Sequence, residues 1–556
     1  MQNVKAGTRP PWVGFAAAVW VGIAAGNSYC FPLYSHSLKS ALGFSQQQLT
    51  VLGVANDLGE NTGILPGIAC NYFPPWVVLL VGVVSSFFGY GVIWLAITQT
   101  VHNLPYWLLW VALVIAANSS AWLGTAVIVT NLRNFPLSRG TVAGLLKGYI
   151  ALSAAVFTEV SIMIFNGSAS AILLVFTLGI PVICLVLMYY VRPCKPAFQP
   201  DQSENAHFMF TQGTSLLLAI FLLTTTILKN SLNLNKTVSY TFIAIMVVFL
   251  LSPLAIPIKM TLFPARKNAA QSFGSSENLD KTAPLLTPSS SSTTLASSSE
   301  DDDASYVNML LAVGEGAIKS KKRRPRRGED FSFREAVVKA DFWLLWATYF
   351  FGIGSGVTVL NNLAQVAGSL GFEDTSTLMS LFSFCNFLGR LGGGAISEYF
   401  VRLNATPRTF WTMITQIIMV LTYLLYASAL DGTLYVATAL LGTCYGLQIA
   451  IMISTSSELF GLKNFGIFFN FMQLGNPVGA LLFSGMLAGY IYDTEAANQG
   501  GTTCVGPACF RLTFLVLACV CGLGTILSLI LTIRIRPVYQ MLYAGGSFRL
   551  PQSSCH

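Results

Sequence analysis

Charged residues are scarce in this chain. Only 10% of its 556 residues are Asp, Glu, Lys or Arg, whereas 54% are hydrophobic, and the mean hydropathy is +0.63. Soluble domains carry roughly 25% charged residues, so this chain has too little polar surface to face water on all sides. The composition excludes a soluble globular protein and predicts a polytopic membrane protein.

The chain also lacks the motifs of a metal site, a nucleotide site or a membrane-embedded enzyme. Its 4 histidines and 11 cysteines show no metal-ligand spacing. There is no GxxxxGK[ST] loop for ATP, no HExxH, and no pair of catalytic aspartates on separate spans. We therefore expect no metal, no cofactor and no enzymatic activity.

A net charge of +8 raises the question of a nucleic-acid partner. Much of the excess comes from one basic run, KSKKRRPRR at 319–327, which lies in a polar segment. Basic runs beside membrane spans usually reflect orientation or contact with anionic lipid. We expect the lipid bilayer as a partner and no nucleic acid.

Apolar runs of the length of a membrane span recur along the chain. A helix needs about 20 apolar residues to cross the hydrocarbon core. The candidates form groups of six, two and six, at 12–34, 47–70, 76–98, 107–130, 142–165 and 170–191, then 213–232 and 238–260, then 342–363, 376–398, 409–429, 433–457, 465–490 and 511–533. The pattern predicts an all-α protein with one six-helix bundle at 12–192, an extra helix pair within 193–260, and a second bundle at 341–536.

The segments outside these spans are polar. Residues 261–340 are Ser-rich, then acidic, then basic, a composition that cannot bury a core and is typical of disorder. We interpret this central loop as a flexible linker, or alternatively as a regulatory segment that kinases phosphorylate.

The charges in the loops predict the orientation of the chain in the membrane. An alternating path from a cytosolic N-terminus (1–11) to a cytosolic tail (537–556) places most Lys and Arg in the cytosol, including Arg133, Arg139, Arg192, Arg402, Arg408, Lys463, Arg534 and Arg536.

The same path places the loop GTTCVGPACF on the opposite side. Cys504 and Cys509 in this loop are either a disulfide, if the compartment is oxidising, or two free thiols. Two glycosylation sequons, at Asn166 and Asn235, fall on that side as well. Both lie in short loops close to the membrane, which disfavours glycan attachment.

The second span contains carboxylates. In QLTVLGVANDLGENTGILPG, helical spacing places Asp57, Glu60 and Asn61 on one face beside Asn56; we call these four residues the acidic stripe. Each carboxylate at mid-membrane costs about 2.5–3.5 kcal/mol on insertion scales. Ionisable residues in spans usually face a cavity or a partner and mark ion or substrate paths. We predict a role in solute binding or proton coupling; the alternative is a brace between helices.

The fifth span carries charges of both signs. In SRGTVAGLLKGYIALSAAVFTEV, Lys147 lies about two turns into the span and Glu159 about three turns deeper, and both are candidate coupling residues. Lys147 is an ion-pair partner for the acidic stripe, or else a snorkelling residue near the edge of the bilayer. Glycines at every fourth position allow a close helix crossing, at Gly140, Gly144 and Gly148.

A charged motif ends the candidate span at 376–398. FSFCNFLGRLGGGAISEYF contains Arg390, Gly394 and Glu398, and is followed by Arg402 and Arg408. Charges of both signs at a span end make bonds in one conformation and release them in another. We interpret this motif as a gating clamp.

Several sequence strings carry a resemblance to a known family. The GR-x₃-G-x₃-E pattern resembles the loop signature of the major facilitator superfamily, with Glu in the usual Asp position. The chain is similar to the plant nodulin-like family of that superfamily in NSYCFPLYSHSLKSALGFSQQQL, VANDLGENTGILPG, FPPWVVLLVGVVSSFFGYGVIWLA, SRGTVAGLLKGYIALSAAVFTE, DFWLLWATYFFGIGSGVTVLNNLAQVAGSLGF and SELFGLKNFGIFFNF.

The resemblance implies the major facilitator fold, with two six-helix bundles and alternating access to a central site. It also implies that the extra helix pair lies between the bundles. Broader similarity to monocarboxylate and oxalate/formate carriers favours small organic anions. Two positions depart from the pattern: the loop GIACNYFPPW lacks the charges of the superfamily signature, and Asn361 stands where relatives often carry Asp.

We therefore expect a multi-pass secondary active transporter of a small solute, coupled to protons. The sequence does not distinguish the plasma membrane from an endomembrane such as the vacuole. The alternative is a non-transporting receptor or scaffold on a transporter fold, acting through its central loop.

Overall fold

The structure is a computed structural model that describes residues 9–44, 46–102, 104–194, 202–231, 236–262, 330–372, 375–430, 432–500 and 504–543. Within these ranges all regular elements are helical. Twelve of the described helices are long and apolar enough to cross a bilayer, which confirms the predicted all-α membrane protein. Two further helical segments, which carry the acidic stripe and the clamp motif, are not among these twelve.

The first bundle contains six helical segments, which we number as spans 1 to 6. Spans 1, 2 and 6 each consist of two or three consecutive shorter helices. Their bounds are Arg9–Ala25, Gly26–Cys30 and Pro32–Leu42 for span 1; Gln46–Asn61 and Ile64–Tyr72 for span 2; Pro75–Ile97 for span 3; Tyr106–Asn134 for span 4; Arg139–Met163 for span 5; and Ala169–Leu174, Val175–Gly179 and Ile180–Leu187 for span 6. The middle piece of span 1 is a 3₁₀ turn, and that of span 6 is a π-helix.

Two inserted helices and the second bundle follow. Inserted helix 1 is Gln202–Ser231, and inserted helix 2 consists of Lys236–Leu251, Ser252–Leu254 and Ala255–Leu262. After a short helix at Phe333–Val337, the second bundle comprises Ala340–Ser369 (span 7), Thr375–Asn404 (span 8), Thr409–Ser428 (span 9), Thr433–Phe460 (span 10), Phe465–Gln473, Gly475–Gly479, Ala480–Ala488 and Gly489–Asn498 (span 11), and Ala508–Tyr543 (span 12).

The 3₁₀ turn in span 1 is a buried polar joint. A Cβ on Gly26 would lie 2.7 Å from the Ile150 carbonyl oxygen of span 5, so glycine lets the two helices touch at this point. Asn27 Nδ2 donates to Ser119 Oγ (2.9 Å), and Ser120 Oγ donates to Asn27 Oδ1 (2.8 Å). These bonds satisfy the buried amide and fix the next residues of the turn, Ser28 and Tyr29, beside the central cavity described below.

Inserted helix 1 packs against the first bundle through aromatic side chains. Phe208 lies 4.8 Å from Trp12 and 5.3 Å from Phe135 between ring centroids, and His207 lies 5.0 Å from Trp12. Aromatic pairs at these separations stabilise a contact beyond the area they bury. Inserted helix 1 is therefore an integral part of the membrane domain.

The end of the predicted central loop is folded. Phe331 is buried, and its N–H donates to the Phe460 carbonyl oxygen (3.1 Å). The Ser332 hydroxyl and N–H donate to the Glu335 carboxylate (2.7 and 3.0 Å) and hold the pKa of Glu335 below its ordinary value. Disorder up to residue 340 was therefore the wrong prediction for 330–340, because Phe331 supplies an apolar anchor. Residues 263–329 lie outside the described residues.

One boundary near the C-terminus also differs from the prediction. Span 12 is helical through Tyr543, so the predicted tail at 537–556 begins inside a helix; residues 544–556 lie outside the described residues. In the preceding loop, Cys504 and Cys509 form a disulfide. The Gly506 N–H between them donates to the Ser369 carbonyl oxygen (2.8 Å), which attaches the loop to the end of span 7.

A central cavity and the clamp that closes it

A cavity of about 510 Å³ lies between the two bundles. Spans 1, 2 and 5 of the first bundle and spans 7, 8, 10 and 11 of the second contribute to its wall. The polar lining residues are Ser28, Tyr29, Asn56, Asp57, Glu60, Asn61, Lys147, Tyr349, Asn361, Ser383, Asn386, Arg390, Tyr445, Gln473 and Asn476. The cavity therefore holds both carboxylates and cations at the interface of the bundles.

All four residues of the acidic stripe line this cavity. Asn56 Nδ2 donates to the Ser28 carbonyl oxygen (3.1 Å) and Asn61 Nδ2 to the Asp57 carbonyl oxygen (2.9 Å), so the two amides fix the stripe on span 2. The Asp57 side chain is exposed because it points into this open space. The structure thus places the stripe where the helical spacing predicted, on one face turned toward the bundle interface.

Glu60 lies deeper in the wall than Asp57. Its carboxylate lies near the hydroxyls of Tyr29 and Ser28, and Lys147 and Arg390 are close enough to interact with it electrostatically. A carboxylate close to both hydroxyls and cations can bind a proton or a cationic group, and can release it when the cations move. Asp57 and Glu60 are therefore two acidic groups in unlike surroundings within one cavity.

Lys147 and Arg390 are neighbours on the cavity wall. Lys147 Nζ donates to Gln473 Oε1 (3.2 Å) of span 11 and lies 5.1 Å from the centre of the Phe469 ring. Arg390 of span 8 donates through Nη1 to the Lys147 carbonyl oxygen (2.8 Å) and through Nε to Asn386 (3.1 Å). Both side chains are buried, so Lys147 is not a snorkelling residue, and its hydrogen bond goes to Gln473 rather than to the stripe.

Two predicted roles are corrected by these positions. Arg390 lines the cavity, and its described hydrogen bonds go to Asn386 and the Lys147 carbonyl oxygen rather than to Glu398. Glu159 is absent from the cavity lining; its Oε1 accepts hydrogen bonds from the Thr225 hydroxyl (2.8 Å) and the Thr226 hydroxyl (3.4 Å) of inserted helix 1. Glu159 lies three turns along span 5 from Lys147, and this distance places it opposite the inserted helix instead of the cavity.

The remaining clamp residues form one network. Glu398 accepts from Arg402 Nε (3.1 Å) and Arg408 Nη2 (2.7 Å), and Arg408 pairs with Glu458 of span 10 as well (2.7 Å). Across the bundle interface, the Gly140 N–H donates to Glu398 Oε2 (2.9 Å). The network thus joins spans 8, 9 and 10 to the start of span 5. We call the end of the molecule where these residues lie the basic face.

Glycines bring the backbones together at the basic face. A Cβ on Gly144 would lie 2.6 Å from the Arg390 carbonyl oxygen, and one on Gly140 would lie 2.9 Å from the Gly394 carbonyl oxygen. Gly140 and Gly144 of span 5 thus pack against the backbone of span 8 near Gly394. A side chain at these positions would separate the two bundles.

A second set of contacts closes the same face between spans 2, 4 and 11. Arg133 Nη2 of span 4 donates to the Lys463 carbonyl oxygen (2.8 Å) and to Asn71 Oδ1 (3.2 Å). The Asn71 amide donates to Asn464 Oδ1 (3.1 Å). Together with the clamp, these bonds hold the bundles against each other below the cavity.

Sequence reasoning missed several of these residues. The sequence predicts Arg133 only as a cytosolic loop residue, and it gives no prediction for Glu458, Gln473 or Asn71. Glu458 carried the clearest signal, since it is an acidic residue near the end of a long apolar span. The loop that contains Asn71 lacks charge and therefore predicts no part in the closure, but the Asn71 amide is sufficient for its hydrogen bonds here.

Comparison with solved structures defines the class of this membrane protein. The fold is similar to the proton:xylose symporter XylE of the major facilitator superfamily (TM-score 0.53, 9% identity, covering 93% of this chain and 94% of that chain). It is also similar to the human organic anion transporter MFSD10 (TM-score 0.50, 12% identity, 94% and 99% coverage). The chain has the major facilitator fold, as its resemblance implied, and this fold and its relatives are those of membrane transporters rather than enzymes.

Comparison with protein families is more specific. A family described as Nodulin-like matches residues 11–258, and one described as NFD4, C-terminal domain, matches residues 329–541. The chain is 31% identical over 545 residues to Protein NUCLEAR FUSION DEFECTIVE 4 of Arabidopsis thaliana, covering 96% of this chain and 90% of that protein. It is 27% identical over 156 residues, 28% of this chain and 38% of the other, to the uncharacterized MFS-type transporter YhjX of Escherichia coli. The chain belongs to the nodulin-like family.

Proposed function

We propose that the protein is a secondary active transporter that moves a small organic anion together with protons by alternating access. The observation that carries this proposal is the composition of one cavity. Asp57, Glu60, Lys147 and Arg390 all line the space between the two bundles. Ionisable groups are costly within a membrane and usually mark the path of a solute or proton.

The cations favour an anionic solute. Among the described contacts, Arg390 uses Nε and Nη1 for Asn386 and the Lys147 backbone, so Nη2 has no described hydrogen bond and can serve a ligand. From Nη2 the guanidinium can donate a charge-assisted hydrogen bond to a carboxylate oxygen, and the neighbouring Lys147 adds a point charge. A bound carboxylate would thus be held by one residue from each bundle, so its binding is linked to their relative movement.

The carboxylates favour coupling to protons. When an anion binds to Lys147 and Arg390, its negative charge competes with Glu60 and weakens the electrostatic interaction of these two cations with the Glu60 carboxylate. Protonation of Glu60 or Asp57 then restores electrical balance in the cavity. Anion and proton would therefore bind together and be released together.

The closed basic face gives the direction in which the cavity opens. We take this face as cytosolic, since Lys and Arg are enriched in cytosolic loops. The state described here then faces the opposite compartment. Transport requires the clamp around Glu398 and the contacts of Arg133 to break while the other end of the bundles closes.

Uptake by the purified full-length protein in proteoliposomes tests the proposal. We expect radiolabelled lactate to accumulate faster when the bath is more acidic than the lumen. Asp57→Asn or Glu60→Gln should remove most of this acid stimulation, because a neutral amide cannot carry the proton. Asp493→Asn, at an exposed site on span 11, is the matched control. Acid stimulation that survives unchanged in both cavity variants would refute proton coupling at these residues.

The solute class is tested in the same vesicles. Lys147→Gln should abolish lactate uptake, whereas a neutral probe such as mannitol should not enter in any variant. Mannitol uptake by the unmodified protein at the rate of lactate would show that the cations do not select anions.

A further inference from the structure

A second, smaller pocket adjoins the central cavity at the side of the molecule. It has a volume of about 180 Å³ and lies between span 5, span 8 and inserted helix 1. Four residues, Ala151, Ala154, Met379 and Ser383, line both spaces. We call the smaller space the side pocket; it is separated from the cavity only by these side chains.

The chemistry of the side pocket differs from that of the cavity. Its lining is largely apolar and includes Leu152, Ala155, Leu222, Leu223 and Phe384. An apolar cavity of about 150 Å³ is large enough to hold benzene. The side pocket therefore has the size and surface for one aromatic ring or a short alkyl chain.

Inserted helix 1 makes the outer wall of this pocket. It contributes Ala219, Leu222, Leu223 and Thr226, and it is fixed to span 5 where Glu159 accepts hydrogen bonds from Thr225 and Thr226. The buried carboxylate that does not face the cavity thus positions the wall of the side pocket. This gives the inserted helix a place in the binding region.

The side pocket is within reach of the cations along a single helix. Lys147, Ala151 and Ala154 lie on span 5 at intervals of four and three residues, so they share one face. At 1.5 Å per residue, Ala151 and Ala154 are about 6 and 10 Å from Lys147 along the helix axis. A molecule with a carboxylate at Lys147 and a ring one or two carbons away would place that ring in the side pocket.

We propose that the transported solute is an amphipathic organic anion whose apolar substituent occupies the side pocket while its carboxylate contacts Lys147 and Arg390. This inference rests on the proposed transport of an organic anion and narrows its substrate class. The inserted helix then selects substrates by their apolar part.

Binding to the purified full-length protein tests this proposal with a matched pair of probes. Lactate and 3-phenyllactate share the same carboxylate and hydroxyl and differ by one phenyl ring. Thermal stabilisation at increasing probe concentration gives each dissociation constant, since a ligand that binds the native state stabilises it. We expect 3-phenyllactate to bind about tenfold or more tightly than lactate, the discrimination that an apolar pocket provides. The neutral amide of 3-phenyllactate should bind weakly.

Two variants change only the side pocket. Ala155→Leu fills it, and should weaken 3-phenyllactate about tenfold while leaving lactate unchanged. Ala244→Leu, the same substitution at an exposed site on inserted helix 2, should affect neither probe. Leu223→Ala enlarges the pocket and should improve binding of the larger 3-(2-naphthyl)lactate, a gain that a damaged fold would not produce.

The outcomes separate this inference from the proposed function. Equal affinity for the two probes, or an equal effect of Ala155→Leu on both, would overturn the side-pocket inference while lactate binding and acid-stimulated uptake still stood. If neither anion stabilised a protein that unfolds cooperatively, the organic-anion proposal and the inference would both be wrong.

Discussion

Arg408 is the side chain on which the clamp depends. It is fully buried and pairs with both Glu398 and Glu458 at 2.7 Å. A buried ion pair gains little over an apolar contact of the same shape, but removing one partner leaves an uncompensated charge that costs about 3–5 kcal/mol. The clamp is thus strongly destabilised by loss of a single member.

The first prediction concerns this residue. Arg408→Met should lower the unfolding temperature of the purified protein markedly, because Glu398 and Glu458 lose their shared cation. Arg334→Met, the same change at an exposed site on the short helix, should have little effect. Equal unfolding temperatures for the two variants would show that the carboxylates are stabilised in another way.

Arg390 offers a second prediction at this scale. Its guanidinium donates in two directions at once, to Asn386 and to the Lys147 carbonyl oxygen, which an ammonium group does not reproduce. Arg390→Lys should therefore weaken lactate binding at least about tenfold despite keeping the charge, and Arg390→Gln should weaken it further. Titration of each variant by thermal stabilisation measures the effect. A lysine variant with native affinity would mean that charge alone is needed.

At the scale of elements, the crossing of spans 5 and 8 controls closure of the basic face. A Cβ on Gly394 would collide with the Gly140 backbone, whereas one on Gly392 would lie 3.8 Å from Ile396 and meet nothing closer. The two glycines lie half a turn apart on one helix. They form a natural pair for a steric test.

The third prediction uses this pair. Gly394→Val should force the basic face open, so spin labels at Tyr72 and Leu403, both exposed, should move apart by several ångströms in electron–electron distance measurements. Gly392→Val should leave that distance unchanged. The labels are placed in a background with the free cysteines replaced. An unchanged distance in the Gly394 variant would show that the crossing tolerates a side chain.

The elements themselves followed from apolar length and helical period, and so did the face on which Asp57 and Glu60 lie. The residues that contact each other across the bundle interface could not be predicted from the sequence. Thr125 and Asn470 hydrogen-bond to each other from 345 residues apart, and nothing in either local sequence specifies the other. Glu159 was misplaced for the same reason: helical spacing gives a direction around span 5, but it does not reveal which neighbour occupies that direction.

At the scale of the whole molecule, the central loop leaves from inserted helix 2 and returns at the basic face. On its return, Asp330 Oδ1 accepts from the Lys463 N–H (3.1 Å), and Phe331 pairs with the Phe460 backbone. The turn between spans 10 and 11 is thus held by the loop's last residues on one side and by Arg133 on the other.

The fourth prediction follows from this attachment. Deleting residues 270–320 should leave lactate uptake within about twofold of the full chain if the protein is a transporter. A longer deletion through residue 332 should lower uptake and stability, because it removes both contacts of the turn. The shorter deletion is also expressed in cells that lack the protein. If it keeps full uptake but no longer restores the normal phenotype of those cells, the receptor or scaffold alternative is favoured.

The last helix has a practical consequence. Its 36 residues extend about 54 Å at 1.5 Å per residue, well beyond a hydrocarbon core of about 30 Å. In its projecting portion, the Tyr539 hydroxyl donates to Glu458 Oε2 (2.6 Å). A protein shortened to end before Tyr539 would lose a hydrogen-bond donor to Glu458 in the clamp network, while every membrane crossing would remain. Purification tags and fluorescent reporters are therefore best fused beyond Tyr543.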